Sequence, residues 1–487
     1  MSNQPQIKTL GELKASGYQP KTIKEELRSN LLPLLHSGRH PFEGIHGYED
    51  SVIPAVERAI LAGHDVLFLG LRGQAKTRMA RQLVGLLDAW VPVLEGSELN
   101  EDPMAPLTAQ SKGIIAQWGD ETPVGWLHRS DRFFEKLATP DTTVADLIGD
   151  IDPIKAANEK LSFSDERVIH YGMIPRAHRS IFVINELPDL QPRLQVALFN
   201  ILQEGDIQIR GFQKRLPVEL QFVFTANPED YTSRGSIVTP LKDRIGSQIH
   251  THYPEDVATA RTITAQETKR IQELFPAVRS FDLAEHLIEE LAFAARESEF
   301  VDPASGVSAR MTISAFELLL TTAERRRLME GASTTQVRLS DFMGILPALV
   351  GKVELVYEGE QQGAEQVAEH ILGHAVLTAF KLFFPPLQNM KRTNENNPYL
   401  PIQNWFSDGN SVELMDDFSL REYENALDIA PINAFVREKL KATIEAPVAF
   451  WKELLLWALS EKSQIARKRT RTKLVFDDLF GNLLGGE

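Results

Sequence analysis

The segment Gly70-Leu71-Arg72-Gly73-Gln74-Ala75-Lys76-Thr77 sets glycines, a lysine and a hydroxyl directly after the apolar run Val66-Leu67-Phe68-Leu69. A turn of this type cradles phosphates. Gly70 and Gly73 leave room where side chains would block an anion, and backbone N–H groups around Gln74 and Ala75 can point inward. Lys76 brings positive charge to a β- and γ-phosphate, and the Thr77 hydroxyl can take Mg²⁺. The chemistry implied is the binding of a nucleoside triphosphate with its metal. Ala75 stands where the common pattern has a further glycine; alanine is the smallest replacement, so the loop is expected to close a little less freely.

Such a loop has to join a buried strand to a helix whose positive N-terminal end faces the anion. Val66 to Leu69 supplies the strand, and Thr77 to Leu87 is predicted as the helix, with Met79, Leu83, Leu86 and Leu87 at helical spacing. Two more buried strands are predicted downstream. Ser180-Ile181-Phe182-Val183-Ile184 runs into Asn185-Glu186, and Gln221-Phe222-Val223-Phe224-Thr225 runs into Ala226-Asn227-Pro228. A helix with Leu194, Ala197, Leu198, Ile201 and Leu202 lies between them, then a hairpin from Ile207 to Val218 around Gly211. An amphipathic helix, Val52 to Leu61, precedes the phosphate loop, and the interval Trp90 to Ser180 reads as helical and hairpin-like pieces. Strands alternating with helices predict an open parallel sheet whose functional residues gather at its C-terminal edge.

The 487 residues give room for about three domains. A net charge of −15 argues against a general nucleic-acid surface. With 0 cysteines there are no disulfides and no thiolate metal sites, which suits a reducing cytoplasm. No apolar stretch approaches the roughly 18 residues of a membrane span, so no membrane insertion is expected. The histidine pairs His36/His40 and His250/His252 lack a convincing third ligand nearby.

Past about residue 255 the strand signals fade and helices are predicted over Leu283–Arg296, Ser314–Met329, Ser340–Val356 and Ala364–Phe384. The stretch Lys391 to Ser411, rich in Asn, Pro, Asp and Gly, reads as a linker. The basic run Arg467-Lys468-Arg469-Thr470-Arg471-Thr472-Lys473 reads as a solvated helix face or a partner dock ahead of a nucleic-acid contact. The resulting division is a helical leader over 1–39, a phosphate-loop core with an insertion over 40–255, a helical lid over 256–356 and a helical extension over 357–487.

With the loop, the Asn185-Glu186 strand end, Asn227 and Leu241-Lys242-Asp243-Arg244 in order, the chain resembles an AAA+ ATPase, in particular the MoxR and magnesium chelatase I-subunit clade. The resemblance covers roughly residues 40 to 350. The long interval from Lys76 to Glu186 is what that clade's helix-2 insertion would explain. Arg176-Ala177-His178-Arg179-Ser180 is similar to the Arg-Ala-Asn-Arg-Gly of chelatase subunits, and Asn227-Pro228-Glu229 to the Asn-Pro-Glu of their sensor strand.

The resemblance implies an α/β fold, an AAA+ phosphate-loop parallel sheet sandwiched by helices, followed by an all-α lid and a helical C-terminal extension. It implies ATP and Mg²⁺ as cofactors and hydrolysis of ATP to ADP and phosphate. Gly70, Gly73, Gln74, Ala75, Lys76 and Thr77 would bind the nucleotide. Thr77 and Asn185 would hold Mg²⁺, directly or through water. Glu186 would activate the attacking water, Asn227 would act as first sensor, Arg244 as the arginine finger toward a neighbouring subunit, and Arg310 as second sensor. Asn185 departs from the family's aspartate; it accepts hydrogen bonds but lacks the charge that favours the ion, so weaker Mg²⁺ binding is expected. Tyr48 stands where many relatives carry glutamine near the adenine.

The function implied is a cytoplasmic, chaperone-like ring motor, a hexameric homo-oligomer that remodels or assembles a partner, for example a protein with a von Willebrand factor A domain. Two alternatives stay open: a magnesium chelatase subunit proper, and a nucleotide-gated scaffold with weak or no hydrolysis. A sigma-54-type activator is disfavoured, since neither a Gly-Ala-Phe-Thr-Gly-Ala loop nor an evident C-terminal helix-turn-helix is found.

Overall fold

Three of the apolar runs become the centre of one sheet. The computed structural model describes residues 4–162, 165–209, 215–228, 235–387, 397–470 and 472–479, in two compact units, Met1–Tyr253 and Pro254–Glu487. The first unit holds five strands, numbered here along the chain: β1 (Val66–Leu69), β2 (Phe133–Leu137), β3 (Ser180–Asn185), β4 (Leu220–Ala226) and β5 (Ser247–His250). They are all parallel, in the spatial order β5-β1-β4-β3-β2. Parallel strands covered on both faces have no polar side to alternate with, which is why β1, β3 and β4 are buried along their whole length.

Alternate residues of these strands feed two cores. Val66, Phe68, Ile181 and Val183 face the helices Ile23–His36 and Val52–Leu61 on one side. Leu67, Phe182, Ile184 and Phe224 face Pro192–Glu204 and Thr239–Arg244 on the other. Register aligns the strand ends: Leu69 pairs with both Ala226 and His250, Phe224 with Ile184, and Leu137 with Asn185. The residues that follow each strand therefore emerge on one edge of the sheet.

The helix after the phosphate loop is shorter than its periodicity predicts. It runs Lys76–Gln82 and tightens into a 3₁₀ turn over Leu83–Leu86, where Gly85 weakens helix propensity. The long interval before β3 contains two antiparallel hairpins, Trp90–Leu94 with Val124–His128 and Gly149–Ile151 with Ile169–Tyr171. It also contains β2, a sheet strand that the sequence pattern did not disclose. Asp206–Gln208 pairs antiparallel with Arg215–Pro217, as the hairpin pattern predicts; its tip at Gly211 lies outside the described residues, as does Glu229.

The second unit is mainly helical. Val257–Leu274, Asp282–Glu297 and Ala309–Glu330 pack on one another, Asp282–Glu297 packs on Ala364–Phe383, and Ala364–Phe383 packs on Val448–Glu461. The last of these is buried from Ala449 to Leu459, apolar on nearly every side apart from Lys452 and Glu453. The predicted helix Ser340–Val356 is instead a 3₁₀ turn, Leu339–Ile345, and a short helix, Leu346–Val350. Pro347 has no N–H to continue a helix but suits a first turn, so the chain restarts there. Part of the expected linker is helix Leu400–Ser407; residues 391–396 lie outside the described residues. Strand pairing also persists past residue 255: Val412–Met415, Ala466–Arg469 and Lys473–Asp477 form an antiparallel sheet, and Val278–Arg279 pairs with Thr335–Gln336.

Candidate nucleotide site

The phosphate loop leaves β1 with Gly70 N–H donating to Ala226 O at 3.2 Å. A Cβ on Gly70 would collide with the Thr251 hydroxyl and the Gln74 amide oxygen, so a larger residue here would have to break their mutual hydrogen bond. Thr251 reaches that place from the end of β5: its N–H donates to Leu69 O at 2.8 Å and its hydroxyl to Gln74 Oε1 at 2.7 Å. Tyr253 donates its hydroxyl to Arg72 O at 2.8 Å. The Tyr48 hydroxyl lies 3.1 Å from Gln74 O and 2.8 Å from His252 O, and burial pushes it up to about 12. The loop is thus braced by side chains from both ends of the unit's sequence.

Two residues of the loop have left-handed backbone, Gly73 at φ 75° and Ala75 at φ 55°, ψ 11°. Ala75 adopts the conformation for which the common pattern uses glycine, at a cost of roughly 1–2 kcal/mol for a residue with a Cβ. The Lys76 ammonium is buried and donates to Gly70 O and, at 2.8 Å, to Leu71 O. Both acceptors belong to the loop, so the amine is already held over its concave side.

The strand ends β3 and β4 bring the remaining polar groups together. Asn185 Oδ1 accepts from the Thr225 hydroxyl at 3.0 Å and lies 3.4 Å from the Thr77 hydroxyl. Asn185 Nδ2 donates to Glu135 Oε1 at 2.6 Å, and Arg81 holds the same carboxylate through bonds of 2.9 and 3.0 Å. Glu186 has left-handed backbone, φ 55° and ψ 53°, with its N–H donating to the Thr225 hydroxyl at 3.2 Å. Strained backbone of this kind at a non-glycine residue concentrates at functional sites. Asn227 follows β4 next to Gly70; it is 2% exposed, and its Oδ1 has no partner among the described residues. A buried carbonyl oxygen left without a protein donor costs free energy unless a ligand or water supplies one. Together with the close glycine cradle and the buried ammonium, it makes the site fit a nucleoside triphosphate with Mg²⁺.

Arg244 does not join this cluster. Arg244 ends the helix Thr239–Arg244, donates to Gln203 Oε1 at 3.1 Å and Pro240 O at 2.9 Å, and lies 5.0 Å over the Phe199 ring. Arg310 is exposed in the first turn of Ala309–Glu330, in the second unit, where Ser308 caps its N–H at 3.1 Å. Among the histidines, His252 Nε2 lies 2.9 Å from the Ser51 hydroxyl and His36 Nδ1 lies 2.8 Å from Leu32 O. Glu135, Thr251 and Tyr253 were missed by sequence reasoning. Thr251 could have been suspected, since it follows the alternating Ser247–His250 strand at the level of the loop.

Residues 127–245 match the family model of the AAA domain, dynein-related subfamily. That segment begins after the phosphate loop and takes in Glu135, Asn185, Glu186, Asn227 and Arg244. Among solved structures, the complex between subunits BchI and BchD of magnesium chelatase is 19% identical over 66% of this chain and 98% of that one, with a TM-score of 0.35. The RuvB Holliday junction branch migration motor of Thermotoga maritima is 11% identical over 74% of each chain, with a TM-score of 0.32. NtrX from Brucella abortus is 14% identical over 53% of this chain, with a TM-score of 0.32, and this chain spans about half (47%) of its length. The first unit has the AAA+ phosphate-loop fold, and its segment 127–245 matches the AAA domain family.

Proposed function

We propose that the protein is an AAA+ ATPase that binds ATP with Mg²⁺ and hydrolyses it to remodel or assemble a partner. The observation that carries this reading is the meeting of Lys76, Thr77, Asn185, Glu186 and Asn227 at one lip of the sheet. Lys76 would exchange its loop carbonyls for the β- and γ-phosphates, and Thr77 with Asn185 would hold Mg²⁺, which would screen the phosphate charge when bound. Glu186 would orient the attacking water and accept its proton, and the buried Asn227 oxygen would receive a hydrogen bond from that water. Arg244, held by Phe199 and Gln203 of its own subunit, would act toward a neighbour's nucleotide in a homo-oligomeric ring, a hexamer in the AAA+ pattern. A MoxR-type remodelling motor in the cytoplasm, working with a von Willebrand factor A protein, is the finer reading; a chelatase subunit proper is the alternative.

Lys76→Ala is expected to abolish ATP binding in calorimetry, while Glu186→Gln binds ATP and does not turn it over. Unchanged affinity in Lys76→Ala, with a normal melting curve, would place the phosphates elsewhere. A wild-type protein that assembles and binds ATP without hydrolysing it would favour the nucleotide-gated scaffold, the reading that Asn185 supports.

A further inference from the structure

Asn185 occupies the position where a metal-anchoring carboxylate is expected, yet a carboxylate lies directly against it, supplied by the adjacent strand. Glu135 lies in β2, its side chain a quarter exposed, and its Oε1 accepts from Asn185 Nδ2 at 2.6 Å. An ionised carboxylate only accepts hydrogen bonds, so this contact fixes which end of the Asn185 amide faces it. The carbonyl oxygen is thereby turned toward the Thr225 and Thr77 hydroxyls, at 3.0 and 3.4 Å. Arg81, from the helix that also carries Lys76 and Thr77, holds Glu135 with two bonds.

The geometry points to Glu135 as a positioning residue of the Mg²⁺ site. It sets the orientation of Asn185 and supplies, from a neighbouring strand, the negative charge that asparagine lacks. This inference rests on the nucleotide-binding reading above and deepens it. The arrangement also makes an amide at 185 the compatible partner for Glu135. An aspartate at 185 would face Glu135 across a contact of 2.6 Å, where two carboxylates cannot both stay ionised. Asparagine beside glutamate carries one negative charge in the pair, as a conventional aspartate beside a neutral neighbour would. Arg81 is mostly exposed, at 62%, so its pairing with Glu135 is screened by water and leaves much of that charge available to the metal.

The test is the Mg²⁺ dependence of nucleotide affinity in the full chain, measured by calorimetry with ATPγS in EDTA and in Mg²⁺, with Mn²⁺ binding followed by electron paramagnetic resonance. Wild type is expected to bind more tightly with Mg²⁺. Glu135→Gln should keep the EDTA affinity and lose most of the metal-dependent gain, on the order of 10–100-fold. The exchange Asn185→Asp with Glu135→Gln moves the charge one strand over and should restore the gain. Arg81→Gln, which breaks the ion pair and leaves Glu135 in place, should keep it. The inference is overturned if Glu135→Gln retains the wild-type gain, if Arg81→Gln loses it as completely as Glu135→Gln does, or if wild type shows no gain while still binding ATPγS. Absence of ATPγS binding to wild type under both conditions would remove the nucleotide reading together with this one.

Discussion

Arg132 and Glu26 form a bidentate ion pair inside the first unit, with both bonds at 2.6 Å and side chains 1% and 4% exposed. It ties the helix Ile23–His36 to the entry of β2. Glu26 Oε1 also accepts from Asp88 N–H at 2.6 Å, and Arg132 donates to Arg179 O at 2.9 and 2.7 Å.

Removing one partner of such a pair leaves a buried charge without compensation, so Glu26→Ala and Arg132→Ala are each expected to destabilise the first unit by about 3–5 kcal/mol. Thermal melts followed by a probe in that unit, with the second unit's transition as internal reference, check this. A loss below about 1 kcal/mol, the range of exposed pairs, would show that the pair is hydrated in solution.

Ala75→Gly is expected to be neutral or stabilising by up to ~1.6 kcal/mol. Relief of the left-handed strain, roughly 1–2 kcal/mol, exceeds the ~0.4–1 kcal/mol of added unfolded-chain freedom. Denaturation of the nucleotide-free protein gives the sign. A clear loss of stability would mean that the alanine methyl makes contacts worth more than its backbone costs.

The second unit should be less stable as pH rises. Burial pushes Glu453 and Glu289 up from the usual 4.5 to about 7 in the fold. Between those values the unfolded chain releases protons that the folded unit retains, so unfolding is favoured as pH increases, and the effect levels off above about 7. Chemical denaturation across pH 4.5 to 8 measures it, and Glu453→Gln should flatten the slope. A slope of opposite sign would mean that Arg338 and the Tyr423 hydroxyl hold Glu453 ionised.

Catalysis in trans is open to a mixing experiment. Lys76→Ala subunits would donate Arg244 without binding ATP, and Arg244→Ala subunits would bind ATP without a finger. Mixed rings should regain turnover, since the finger accounts for on the order of 10³-fold in rate. Two inactive populations that co-assemble and stay inactive would count against the shared site.

The sequence displayed the elements that are buried on both faces or carry a full amphipathic stripe. Val66–Leu69, Val52–Leu61 and Ala364–Phe383 appear where, or within one residue of where, their apolar pattern puts them. β2 stayed hidden because an edge strand needs only one covered neighbour: Phe133-Phe134-Glu135-Lys136-Leu137 is nowhere fully buried and shows neither alternation nor an apolar run. With it went Glu135. Thr251 and Tyr253 escaped notice for a different reason, since they act through contacts that the parallel register alone creates, between chain positions far apart. Glu26 looked like one more charge on a polar helix until Arg132 was seen beside it.

The basic run near the end of the second unit shows how charge counted along a chain differs from charge in space. Arg467 meets Glu461 at 2.8 Å and lies over Trp457, Arg469 meets Asp416 at 2.8 Å, and Lys473 meets Glu413 at 2.8 Å. The three partners come from a helix end, a turn and a strand, so folding shares these three cations among acids outside the run, Arg471 lying outside the described residues. A polyanion approaching this face would have to strip those carboxylates away first, and would release few of its own counterions in return. What is written as a cationic tract behaves electrically as stitching that holds the hairpin Ala466–Arg469 and Lys473–Asp477 to its surroundings.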